Sequence, residues 1–153
     1  MQLFRLSTRV ADNTEFFSWY EKLLCWNSFI TLEEELIKEM AKLGTTLTPK
    51  DKTINAFEKL LCKLYTPSMT LDTVKKLRWL LFRCKKEESE SLPLTQDALL
   101  EALLRVHHQT MVWSNGVVAN TQIPSPKNYG WEQKDQTWQP VITRLPLAPD
   151  AVI

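Results

Sequence analysis

The stretch TPKDKTINAFEKLLCKLY, Thr48 to Tyr65, decides the fold. Thr48-Pro49 predicts an N-cap followed by proline at the first helical position, where the missing N–H is harmless and φ is already helical. Ile54, Phe57, Leu60, Leu61, Leu64 and Tyr65 then recur at three- and four-residue steps, the period of a helix with one buried face. Pro67 stops it. Working towards the N-terminus, Thr31 with Glu34 has the spacing of a capping box. It opens a stripe of Leu32, Leu36, Ile37, Met40 and Leu43, with Glu33, Glu35, Lys38 and Lys42 on the wet side and Gly44 as the C′ residue. Asp12 with Glu15 is a second capping box, ahead of Phe16, Trp19, Tyr20, Leu23, Leu24 and Trp26, a helix apolar around much of its circumference and therefore buried.

Towards the C-terminus, Leu71, Val74, Leu77, Leu80, Leu81 and Cys84 form a stripe widened by Trp79 and Phe82, which predicts the central helix over Leu71 to Lys86. The polar run EESES (Glu87 to Ser91) is a linker. Thr95 then caps a helix with Leu99, Ala102, Leu103 and Val106 inward, running to about Trp113, and Asn115-Gly116 signals a chain reversal before Val117-Val118, a short strand at most. Beyond Asn120, prolines 124, 126, 140, 146 and 149 preclude a long helix. Lys134-Asp135-Gln136 between Trp131 and Trp138 suits a small hairpin turn, and the rest is expected to run extended over the helical body, held by burial of its tryptophans and Tyr129. The fold expected is all-α: about five helices in one domain, with residues 1–12 as an N-terminal extension, 13–115 as the helical body and 116–153 as an extended Pro/Trp-rich wrapping segment holding at most one short β-hairpin.

Composition agrees. The 153 residues carry a net charge of +1, with 44% hydrophobic and 24% charged residues, which suits a packed domain rather than a disordered or polyanion-binding chain. Only 3 glycines are present, so a sandwich of many hairpins is excluded and no Gly-rich phosphate loop exists. No run reaches the roughly 18 apolar residues of a membrane span, and Met1 to Asp12 lacks a signal-peptide core. Cys25, Cys62 and Cys84 are odd in number and set within apolar runs, so they read as reduced core thiols of an intracellular protein, nuclear or cytoplasmic.

Catalytic chemistry finds little footing. His107 and His108 are adjacent, so they point about 100° apart on a helix and cannot form an i, i+4 metal pair. One of them faces the core. Glu33, Glu34 and Glu35 sit in a first helical turn, where the dipole favours them, and no HExxH, CxxC, G-x-S-x-G, Rossmann or Walker pattern occurs. No catalytic residue, metal ligand or cofactor is assigned. Two candidate binding sets are. Lys75, Lys76, Arg78, Arg83, Lys85 and Lys86 give one helix a basic outer side suited to phosphates, against which stands the dipole's own preference for cations at a C-terminus. Tyr129, Trp131 and Trp138 give the C-terminal segment the aromatic character of a partner-binding surface.

The order FEKLLCKLY (Phe57 to Tyr65), VKKLRWLLFRCKK (Val74 to Lys86), LPLTQDALLEALLRVHHQTMVW (Leu92 to Trp113), IPSPKNYGW (Ile123 to Trp131) and LPLAPDAVI (Leu145 to Ile153) resembles an uncharacterised metazoan protein family, frequent in arthropods and cnidarians and distributed like a mobile element. In longer relatives this segment follows a core similar to PIN or flap-type nucleases and precedes a Cys-rich tail. Arg105, Gln109 and Trp113 keep the family pattern, while Pro93-Leu94, Ala102 and His107-His108 depart from it. No nuclease carboxylate is carried over. The resemblance implies an element-derived, non-catalytic module for protein interaction or self-association, and as the alternative an accessory nucleic-acid-binding domain; neither a membrane nor a small-molecule substrate is implied.

Overall fold

The computed structural model describes residues 22–85, 92–116 and 122–145. Five α-helices and one two-stranded antiparallel sheet occur among them: α1 (Lys22–Ile30), α2 (Glu34–Met40), α3 (Asp51–Tyr65), α4 (Val74–Leu80), α5 (Gln96–Asn115), β1 (Trp131–Lys134) and β2 (Thr137–Pro140). The described residues are thus mostly helical with one short hairpin. The Asp12–Glu15 capping box, the EESES linker, the Val117-Val118 strand and the prolines at 146 and 149 lie outside the described residues.

The central position expected for residues 71–86 belongs to α3. Ala56, Phe57, Leu60, Leu61 and Leu64 of α3 form one core with Cys25 of α1, Met40 of α2, Val74 of α4 and Leu99 and Leu103 of α5. Each such leucine contributes about 2 kcal/mol by leaving water. Helix α4 is short. Thr73 caps it by accepting from the Lys76 N–H, Val74, Leu77 and Leu81 are buried, and Leu81–Lys85 continues as a π-helical turn. Trp79 and Phe82, expected to widen the buried stripe, are instead 58% and 66% exposed, and Cys84 is exposed as well. The reason is angular: Trp79 sits about 200° from Leu77 on the helix, and the wider π turn carries Phe82 and Cys84 out of the stripe. Cys25 and Cys62 are buried thiols as expected, and desolvation pushes Cys62 up to about 11. In α1, Cys25 and Ser28 are buried while Leu23 and Ile30 are exposed, so the described part of that helix buries one side only.

Two expected caps act differently. The Thr31 hydroxyl donates back to the Ser28 carbonyl at 2.8 Å, closing the end of α1, and Glu33 stands at the N-cap of α2. Lys50 replaces Thr48 as N-cap of α3, receiving the N–H groups of Thr53 and Ile54. Thr95 does cap α5, its hydroxyl accepting from the Ala98 N–H at 3.2 Å. After α2, one further turn leads to Gly44 at φ +77°, where a Cβ would lie 2.6 Å from Thr110 Cγ2. Gly116 caps α5 with an ordinary negative φ, so the helix ends at the Asn115-Gly116 signal, two residues beyond Trp113, and the described chain after it runs back along the helix.

The hairpin forms where Lys134-Asp135-Gln136 suggested. Asp135 and Gln136 both have positive φ, 47° and 65°, the pattern of a two-residue turn that matches strand twist. Trp131 pairs with Pro140 and Gln133 with Trp138. Opposed residues share a face, so Trp131 and Trp138 are diagonal neighbours on one side of the hairpin.

Candidate functional site

Helix α5 supplies both the attachments that hold the C-terminal segment and the floor of the candidate site. At 100° per residue, Asp97, Glu101, Arg105 and His108 fall within an arc of about 80°. Each grips the chain that follows the helix. Asp97 Oδ2 accepts the Thr143 hydroxyl and the N–H groups of Arg144 (2.7 Å) and Leu145 (3.3 Å), and these bonds hold its carboxyl below its ordinary value. Glu101 Oε1 takes Arg144 Nε at 2.6 Å. Arg105 Nη1 donates to the carbonyls of Gly130 (3.2 Å) and Val141 (2.5 Å), the two ends of the hairpin. His108 Nε2 donates to the Pro124 carbonyl at 2.8 Å. The segment is therefore held by these polar anchors together with buried Tyr129, whose hydroxyl donates to the Leu47 carbonyl at 2.6 Å. Burial of tryptophans, the expected fastening, contributes less: Trp131 is half-buried and Trp138 is 40% exposed.

His107 faces the other way and is fully buried. Its Nε2 is 2.7 Å from the Thr46 carbonyl, so that nitrogen carries the proton, and Nδ1 accepts the Gly44 N–H at 3.0 Å. Burial pushes its pKa below the ordinary value. Both histidine rings lie against Tyr129, with centroids 6.2 and 5.0 Å away. Each ring is thus engaged by main-chain groups. Among the described residues no group of three or more His, Cys, Asp or Glu side chains could hold a metal ion. Glu58 of α3 is also buried; desolvation raises its pKa, partly offset by a hydrogen bond from Gln96, and its Oε1 has no partner among the described residues.

Between α5 and the hairpin lies a cleft of about 270 Å³ lined by Arg105, His108, Gln109, Val112, Pro126, Trp131 and Trp138. It brings together two of the three aromatic residues singled out in the sequence; Tyr129 does not line it and packs against the His107 and His108 rings. Arg105, His108, Gln109, Val112 and Pro126 were missed. The signal that could have found Arg105 and His108 is the polar spacing Asp97-x3-Glu101-x3-Arg105-x2-His108, a helical stripe opposite the apolar one. Arg105 is only 6% exposed, and its Nε–H has no partner among the described residues.

The basic set is dispersed. Lys76 is paired with Asp72 at 2.9 Å. Arg78 turns inward to donate to the Pro93 carbonyl, half-buried and desolvated enough to lower its pKa. Arg83 lies over the Trp79 ring, 4.9 Å from its centroid. Lys75 is exposed, and Lys86 and the side chain of Lys85 lie outside the described part of the structure. A larger groove of about 540 Å³ runs between the α1–α2 junction, α3 and the loop before α4. Lys59, Lys63 and Lys76 share its lining with Glu33 and Asp72, so no single sign of charge prevails there. No helix among the described residues is long and apolar enough to cross a membrane. No protein-family model, curated protein or solved structure matches the chain.

Proposed function

We propose that the chain is a non-catalytic protein-interaction module, of the element-derived kind its resemblance implies, acting inside the cell on a protein partner or a second copy. The observation that carries this reading is the placement of Trp131 and Trp138 as diagonal neighbours on one hairpin face beside Arg105 and Gln109 of α5. Tryptophan and arginine are the side chains most enriched among residues that dominate binding energy, because they combine large apolar area with a polar donor. The engagement of His107 and His108 by backbone carbonyls supports a structural rather than catalytic use of the only histidines. The test is selection of a random-peptide display library on the purified chain, with each enriched peptide then titrated against Trp138→Ala. Enriched peptides that weaken about tenfold or more on the variant support the reading. Failure to enrich, or enrichment indifferent to Trp138→Ala, overturns it.

A second reading, accessory nucleic-acid binding, is favoured by one observation. Trp79 and Phe82 are exposed three residues apart with Arg83 over Trp79, the combination of π-faces and cation on which single strands stack. It predicts that labelled single-stranded DNA binds with an affinity that falls steeply with salt and is lost in Trp79→Ala. Salt-insensitive or absent binding rejects it.

A further inference from the structure

Among the described residues the sheet stops at two strands, so each strand of the hairpin leaves one row of main-chain groups pointing outward. One bond tells which groups these are. The Val141 N–H donates to the Gly130 carbonyl at 2.9 Å, so Gly130 and Val141 are a hydrogen-bonded pair. Pairing alternates along an antiparallel ladder. The main-chain groups of Glu132 and Lys134 therefore turn inward to β2, and those of Trp131 and Gln133 lie on the outer edge of β1. On β2 the outward positions are Trp138 and Pro140, and Pro140 has no N–H to offer. Proline thus blunts the β2 edge, while β1 carries no such guard. Gln133 and Lys134 are exposed. The side chains of Glu132 and Lys134, 44% and 57% exposed, form an ion pair of 2.6 Å on the hairpin face opposite the tryptophans.

We propose that the outer edge of β1 pairs antiparallel with the same edge of a second copy, the two-fold axis passing between the two Gln133 residues. This rests on the interaction reading above and names a second copy as the partner, at the strand edge rather than in the cleft. Charge selects both the occupant and the register. Outward groups must meet outward groups, and the two-fold registers that overlap the strands most are centred on Glu132 or on Gln133. Centring on Glu132 sets two Glu132 carboxylates directly opposite each other, and moving the centre to Lys134 does the same with two ammonium groups; like charges so placed are destabilising. Centring on Gln133 sets each Glu132 opposite the Lys134 of the second copy. These are non-hydrogen-bonded pairs, the closer kind, with Cα atoms about 4.5 Å apart. With the ion pair already present in each strand, the four charges alternate in sign around a square, a network rather than an isolated pair. The two Gln133 residues meanwhile exchange both of their outward main-chain bonds.

The test is sedimentation equilibrium of the full chain from about 10 µM to about 1 mM, a range over which the dimer is expected to form. Glu132→Lys and Lys134→Glu each turn both cross-copy attractions into repulsions, so each is expected to weaken dimerisation about tenfold or more. Mixed one to one, the two variants face each other with opposite charges and are expected to associate at least about tenfold more tightly than either does with itself. The same reversals made on α2, at Glu35 and Lys38, control for net charge and are expected to have no such effect. Circular dichroism verifies the fold of each variant. A chain that stays monomeric throughout, dimers indifferent to both β1 reversals, or β1 variants that fail to associate when mixed overturn the proposal. If any of these occurs while display peptides bind in a Trp138-dependent way, the second copy is the wrong partner and the interaction reading stands. If no display peptide depends on Trp138 either, both fall.

Discussion

Replacing His107 by leucine removes a fully buried imidazole of similar size together with both of its main-chain bonds, to the Gly44 N–H and the Thr46 carbonyl. Two neutral hydrogen bonds contribute about 0.5–1.5 kcal/mol each, and a donor left without its partner adds about 1–3 kcal/mol where it is shielded from water. Gly44 is half-buried, so the expected loss is about 2–4 kcal/mol at pH 8. For a chain of this length that corresponds to a drop in Tm of roughly 5–15 °C. The pH dependence is a second, independent signature. Burial holds the folded His107 pKa below the ordinary 6.5, so between the two values the unfolded state carries more protons. Stability conferred by neutral His107 is thus complete above pH 6.5 and declines as pH falls towards the folded pKa, by at most about 1.4 kcal/mol per pH unit. The leucine variant lacks that decline, so the gap between the two proteins narrows in acid. Urea unfolding followed by tryptophan fluorescence at several pH values between 8 and 5 reads both quantities. A loss below about 0.5 kcal/mol at pH 8, or a gap independent of pH, refutes the reasoning.

Three further outcomes are expected. Glu58→Gln should stabilise the protein at neutral pH, because the raised pKa of Glu58 means the folded state disfavours its charge; the gain should shrink as pH falls towards 4.5, and denaturant titrations at pH 7 and 4.5 check both. Gly130→Ala should destabilise by about 2 kcal/mol or more, since φ is +74° and the new Cβ would meet the Glu101 carbonyl oxygen at 2.4 Å; calorimetry reads the loss. Gln136→Gly should raise stability by about 0.5–1 kcal/mol by relieving the left-handed φ of 65° in the hairpin turn, measured as a shift in the urea midpoint.

Much of the fold was legible in local signals. Pro67 ends α3 just after Tyr65, Thr95 caps α5, and the hairpin turns between Trp131 and Trp138, because proline sterics, a capping hydroxyl and a short polar turn act within a few residues. What escaped depends on geometry that spacing alone does not carry. Trp79 and Phe82 look like core residues by hydrophobicity, yet the buried side of α4 is set by Val74, Leu77 and Leu81 and ends in a π turn. Thr31 has the sequence of an N-cap but bonds backwards to Ser28, since a threonine between two helices can serve either one. The cleft was half visible: its tryptophans stood out in a proline-rich segment, whereas its α5 wall was hidden in a run of ordinary polar residues whose common face appears only when they are set on a helical wheel.

The claim that a partner binds at the α5–hairpin cleft is tested most directly by the indole N–H region of a ¹H–¹⁵N spectrum of the wild-type chain, in which its 6 tryptophans report separately. The spectrum is followed while a display-selected peptide is added. The account predicts that Trp131 and Trp138 shift progressively with peptide while Trp26 and Trp79 stay fixed. Shifts centred on Trp79, or none at Trp131 and Trp138 under saturating peptide, would contradict it.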